Sequence, residues 1–169
     1  NPTLNPPGTA GRGPANPTIL RFAVDGTAFS PTLSHPSWRE GVLASFTEHS
    51  YRSLAADGER GELLLIQNVG HDRVEWAFRD GNGAWSARGQ LSWPRESEHA
   101  PTSPIRVCYP NVLLEGSSVH FVGVSDIVEP NEAWRGFKRE LTGNAWDYVF
   151  RRLLFTWTTD ITHQEFSEW

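Results

Sequence analysis

Methionine is absent, cysteine occurs once, and no run of apolar residues is long enough to cross a bilayer as a helix. The single Cys108 excludes an internal disulfide framework and, with no second thiol, any cysteine-based metal cluster. Its place between Val107 and Tyr109, at the start of an apolar strand pattern, suits a buried structural thiol better than a nucleophile. Excess positive charge is missing as well. The net charge of −5 gives no basic footprint for nucleic acid. The first residues carry no signal-peptide pattern, which in a piece of a longer protein says nothing of compartment. What the chain has instead is 8 Trp, 9 Phe, 15 Gly and 12 Pro in 169 residues, the composition of short strands joined by many turns.

One strand pattern is written twice, in residues 51–93 and again in residues 109–169. Each copy opens with a Tyr-led strand, Tyr51-Arg-Ser-Leu-Ala-Ala-Asp-Gly and Tyr109-Pro-Asn-Val-Leu-Leu-Glu-Gly, the two tyrosines about 58 residues apart. A second apolar strand follows, Glu62-Leu-Leu-Leu-Ile-Gln and Ser118-Val-His-Phe-Val-Gly. An aromatic strand then runs into an Asp turn, Glu75-Trp-Ala-Phe-Arg-Asp80 and Phe155-Thr-Trp-Thr-Thr-Asp160. The second copy breaks off as its last strand should begin. Ile19-Leu-Arg-Phe-Ala-Val-Asp25-Gly-Thr-Ala-Phe29 matches half of a third copy.

Short-strand repeats of roughly 40 to 60 residues mean a propeller or a related array, in which each small sheet covers its faces by packing on its neighbours. The expected fold is therefore all-β: a β-propeller segment of four-stranded antiparallel blades. The chain holds about two and a half units, where rings of this type need roughly four to eight sheets. One incomplete propeller domain over residues 1–169 is expected. It divides into a partial blade and connection (1–48), a blade (49–93), a link (94–107) and a second blade (108–169). The remaining blades would come from a longer chain or from other chains.

The stretch before Thr18 is rich in Pro, Gly and Asn and reads as irregular loop. Trp38, Val42, Leu43 and Phe46 fall at helical spacing, which predicts a short helical turn. The second copy carries about 22 extra residues before its Asp turn. Asn131 as N-cap, Gly143 after the last turn, and Trp134, Phe137 and Leu141 at spacings of three and four predict a short helical insertion at about 130–143, Arg135, Lys138 and Arg139 on its polar side. Trp146, Tyr148 and Phe150 then alternate as an added strand would. The helix reads equally as a buttress over a sheet edge and as a wall of a binding cleft.

The Asp turns carry a family resemblance. Phe78-Arg-Asp80-Gly-Asn-Gly-Ala-Trp85, Thr158-Thr-Asp160 with Phe166 and Trp169 beyond it, and Val24-Asp25-Gly26-Thr27-Ala28-Phe29 resemble the Asp box of sialidase-like (BNR) β-propellers, Ser/Thr-x-Asp-x-Gly-x-Thr-Trp. The first lacks the leading hydroxyl, the second has a longer turn and the third is shorter. In that superfamily the Asp boxes lie away from the ligand, so the resemblance implies structural roles for Asp25, Asp80 and Asp160. It implies a ligand face where innermost strands begin and second strands cross to third.

Those places hold His49, Tyr51 and Arg52, then His71, Asp72 and Arg73, then Arg106, Tyr109 and Asn111, and the insertion with Trp134 and Arg139. His49, Tyr51, His71 and Tyr109 are the candidate catalytic groups, since imidazole and phenol can exchange protons with a sugar carbon or a glycosidic oxygen. Arg52, Arg73, Arg106, Asn111, Arg139 and Trp134 are candidate substrate contacts that would neutralise a uronate carboxylate or stack on a sugar. This equipment points to a polysaccharide lyase working by β-elimination on a uronate-containing polysaccharide or glycan, secreted or periplasmic. Alternatives are a sialidase-like hydrolase drawing on Glu48, Asp72, Asp126 or Glu129, or a non-catalytic binding propeller with Trp134, Trp146 and Tyr148 as platforms. Each of these residues also has a plain packing or turn role open to it. The six histidines show no HExxH pattern or close pair, and no metal or cofactor is called for.

Overall fold

The computed structural model describes residues 16–21, 32–46, 51–69, 73–94, 107–143 and 148–168. Antiparallel β-structure dominates them. Strands β1 (Ile19–Arg21) and β2 (Thr32–Ser34) form a hairpin, followed by a 3₁₀ turn at Val42–Ser45. β3 (Arg52–Asp57), β4 (Glu62–Val69), β5 (Arg73–Arg79) and β6 (Ala87–Ser92) form a four-stranded meander in chain order. β7 (Val107–Glu115), β8 (Ser118–Val128) and β9 (Tyr148–Thr158) form a three-stranded meander. Helix α1 (Glu132–Thr142) lies in the β8–β9 connection.

Both central strands of the first sheet are largely buried on both faces, as in a sheet covered on both sides. One face, Leu64, Ile66, Val74, Trp76, Phe78 and Leu91, packs on Val107, Leu114, Val119 and Phe121 of the second sheet. The other face, Leu65, Val69 and Ala77, packs on Trp38, Val42 and Phe46. The helical spacing of that segment is realised as a single 3₁₀ turn, with Leu43 left exposed. Gly89 stands under the Trp76 indole, where an added methyl would overlap the ring.

A polar row crosses all four strands on the segment-facing side. Arg52 pairs with Gln67, Gln67 with Glu75, and Glu75 with Gln90 in the strand register. Glu75 is fully buried and accepts from Arg39 Nε at 2.9 Å, Arg39 Nη2 at 2.7 Å and Arg73 Nε at 3.2 Å. Arg39 also donates to Gln90 at 2.6 Å, so it fastens the preceding segment to the sheet.

The two sheets are held at both ends. The Asp57 carboxylate accepts from Gly116 N at 3.0 Å and Glu62 from Ser117 N at 3.1 Å, joining the β3–β4 and β7–β8 turns. Buried Asn68 donates to Val107 O at 2.9 Å and accepts from Trp93 Nε1 at 3.2 Å at the opposite end. The Asp turns are local. Asp80 Oδ1 accepts from Asn82 N and Ala84 N, both at 3.0 Å, and Asp160 Oδ1 from Thr162 N at 2.8 Å.

Three expectations change in detail. Residues 148–158 form one continuous strand rather than an added strand followed by another, because β8 itself extends to Val128 and pairs with all of it across one irregularity at Ser125/Asp126. Strand register places Phe155 and Trp157 where Trp76 and Phe78 stand, one residue away from the match made through Asp80 and Asp160, since the second turn has one residue more between strand and carboxylate. Helix α1 has the expected caps: Asn131 Oδ1 accepts from Trp134 N at 3.2 Å, and Gly143 at φ 67° donates to Arg139 O at 2.9 Å. None of its residues is buried, so it does not serve the described strands as a buttress.

Candidate functional site

β3 and β7, the first strands of the two meanders, are in contact, and their starting ends bring Tyr51 and Tyr109 together. Alternation along β3 puts Tyr51 and Ser53 on the side of the second sheet and Arg52 on the other. The Tyr51 and Tyr109 ring centroids are 4.8 Å apart, and Phe150 of β9 lies 5.8 Å from Tyr109. Asn111 Oδ1 is 3.5 Å from Ser53 Oγ, linking the positions two residues beyond each tyrosine.

Local backbone irregularity exposes Tyr109. The β7–β8 register slips between Cys108 and Asn111, so Tyr109-Pro110 forms a bulge, a place where proline's missing N–H costs no ladder bond. Tyr109 takes φ 52°, a left-handed conformation that non-glycine residues seldom adopt and that concentrates at functional positions. Its ring is about half exposed, while Cys108 before it is buried.

The Tyr51 phenol is pushed up to about 12, first by burial, then by its hydrogen bond with Tyr109, then by the neighbouring Cys108 thiol. It is therefore a protonated donor at neutral pH. A base would have to be another group, or a cation would have to be brought beside it.

Of the sequence-predicted residues, the structure gathers Tyr51, Tyr109 and Asn111. Arg52 turns to the opposite face, where Nε donates to Gln67 at 2.5 Å and burial lowers its guanidinium from the ordinary value. Arg73 is on that face too, bonded to Glu75. Both belong to the polar row and not to the tyrosine pair. Trp134 and Arg139 lie on α1, Trp134 exposed. His49, His71 and Arg106 lie outside the described residues, as do Asp72 and Trp146. Among the described residues no three His, Cys, Asp or Glu side chains converge as a metal site, and no helix is long and apolar enough to cross a membrane.

Sequence reasoning passed over Ser53, Cys108 and Phe150 as neighbours of the pair, and Asn68 as the group that positions it. Asn68 N donates to Tyr51 O at 2.8 Å while its side chain holds Val107 O, so one buried residue fixes the starts of both β3 and β7. The Ser53/Asn111 contact was accessible from the repeat, since both stand two residues after the repeat tyrosine. Phe150 was not, because only the uninterrupted β8–β9 pairing carries it to Tyr109.

Comparison with known proteins gives no neighbour: no family model, no curated protein and no solved structure matches the chain.

Proposed function

We propose that this chain is part of a propeller-type, sialidase-like sheet array that acts on a uronate-containing polysaccharide, with the Tyr51–Tyr109 pair at its working end. The observation that carries the proposal is the pairing itself: two phenols at equivalent positions, one strained and half exposed, one half-buried and firmly protonated. The in-order meanders and the two Asp turns support the array.

The reaction proposed is β-elimination. An imidazole, from His49 or His71, takes the C5 proton, the C4–O bond breaks as the C4–C5 double bond forms, and Tyr51 gives its proton to the departing glycosidic oxygen. The imidazolium then returns a proton to the Tyr51 phenolate. Asn111 and Arg106 are assigned to the uronate carboxylate, whose charge must be offset before the C5 proton becomes acidic. Extracellular or periplasmic polysaccharide is the substrate this chemistry suits.

A panel of acidic polysaccharides tests it through ultraviolet absorbance of the unsaturated uronate product. Tyr51→Phe should reduce that product at least a hundredfold, the usual scale of a lost general acid. Release of reducing sugar without unsaturated product would replace elimination by hydrolysis. A second assignment, glycan binding without chemistry, is favoured by the exposed Trp134 and Phe137 on α1; binding that survives Tyr51→Phe, with no product of either kind, would establish it.

A further inference from the structure

One face of the first sheet gathers more arginine than Glu75 needs. Arg39 Nη2 and Arg73 Nε reach the same oxygen, Glu75 Oε1, at 2.7 and 3.2 Å, so two guanidinia share one negative charge. Arg88 stands two residues before Gln90 on β6 and hence on the same face, where it donates to the neutral Ser37 hydroxyl. Counted over these bonded groups, three cations meet one anion, on a chain whose net charge is −5. The excess is local and of the opposite sign to the whole.

Strand register spaces this charge. Glu75 is the cross-strand partner of Gln90 and Ala77 that of Arg88, so Arg88 lies one level along the sheet from the place where Arg39 and Arg73 meet. Levels two residues apart are separated by about 6.6 Å of strand. The arrangement offers two seats for anions, a paired fork at Glu75 and a single guanidinium beside it. Both are reachable: β6 is an edge strand, Arg88 is exposed, and the side chains of Arg39 and Arg73 are 44% and 29% exposed.

A guanidinium carries five N–H donors. Among the described residues Arg39 spends Nε and Nη2, Arg73 spends Nε, and Arg88 spends Nη1. That leaves Nη1 of Arg39, both Nη groups of Arg73, and Nε and Nη2 of Arg88 for a ligand. Such forks take carboxylates two bonds at a time. We propose that this row is a binding track for an acidic polysaccharide, separate from the tyrosine pair, with one carboxylate of the polymer between Arg39 and Arg73 and a further one at Arg88. Fully buried Glu75 holds the first two forks in place before the polymer arrives. The identity of the polymer rests on the polysaccharide reading above; the excess charge stands without it.

Isothermal titration calorimetry of the full chain with polygalacturonate, and with dextran as the neutral control, tests the track. Tyr51→Phe serves as the parent, so that no reaction accompanies binding. The parent should bind polygalacturonate and not dextran. Adding Arg73→Gln and Arg88→Gln should weaken binding at least about tenfold and flatten its salt dependence, because charge-assisted contacts and counterion release are lost together. Arg88→Gln alone, at an exposed position, should give a smaller loss of the same kind with unchanged circular dichroism. A parent that ignores polygalacturonate, a double variant that binds as well as the parent, or equal affinity for dextran or for a single-stranded oligonucleotide of the same charge would each overturn the proposal. The elimination reading fails differently, by a wild-type chain that binds through these arginines and yields no unsaturated product.

Discussion

Removing the Arg39 side chain should detach the segment around Trp38 from the first sheet at a predictable cost. Arg39 supplies two of the three charge-assisted bonds to fully buried Glu75. Breaking a buried pair by deleting one partner costs about 3–5 kcal/mol, because the remaining charge is left without compensation. Two features reduce this. The Arg39 side chain is 44% exposed, and Arg73 stays at 3.2 Å from Glu75. For Arg39→Ala we therefore expect a loss of about 2–3 kcal/mol. With a urea slope of about 2 kcal/mol/M, the midpoint falls by about 1–1.5 M, read by tryptophan fluorescence. Charge is the stated cause, so adding Glu75→Gln to Arg39→Ala should recover about 1 kcal/mol relative to the sum of the single changes. A midpoint shift below about 0.25 M, or strictly additive effects, would refute the account and leave the polar row as surface decoration.

The Tyr51 phenol gives a pH prediction. Its folded value of about 12 lies above the unfolded value of about 10, so its contribution is complete below pH 10 and is lost as pH rises through 12. Tyr51→Phe should flatten that alkaline decline, and spectrophotometric titration should lose a phenol that ionises at about 12. Gly89→Ala should destabilise by about 1–3 kcal/mol in urea unfolding, since the new methyl overlaps Trp76. Asn131→Ala should remove about 1 kcal/mol from α1, seen as reduced helical circular dichroism, because this helix has no buried residue to hold it once the cap is gone.

Strands, turns and α1 were legible in the amino-acid order because each answers to local causes. Two-residue alternation, the Asp80 and Asp160 turns, the Asn131 cap and the Gly143 stop all act within a few residues. The duplication was legible too, and with it the equivalence of Tyr51 and Tyr109. Where side chains finally point was not. Arg52 sits beside Tyr51 in sequence yet bonds Gln67 on the far side of the sheet, since alternation puts strand neighbours on opposite faces. The aromatic run at 148–158 looked like two strands because nothing in it reveals that β8 is long enough to pair with all of it.

Sequence by itself thus determined the inventory: an all-β, low-cysteine chain of repeated strand units with one capped helix. Tertiary structure decided which repeats touch. It set Tyr51 against Tyr109, drew the arginines to buried Gln67 and Glu75, and left one face of β7–β8–β9 more open than the matching face of its sibling. The physical reason is that local propensity fixes the conformation of a segment, whereas the face it covers depends on pairing register and on the neighbours that register brings within reach.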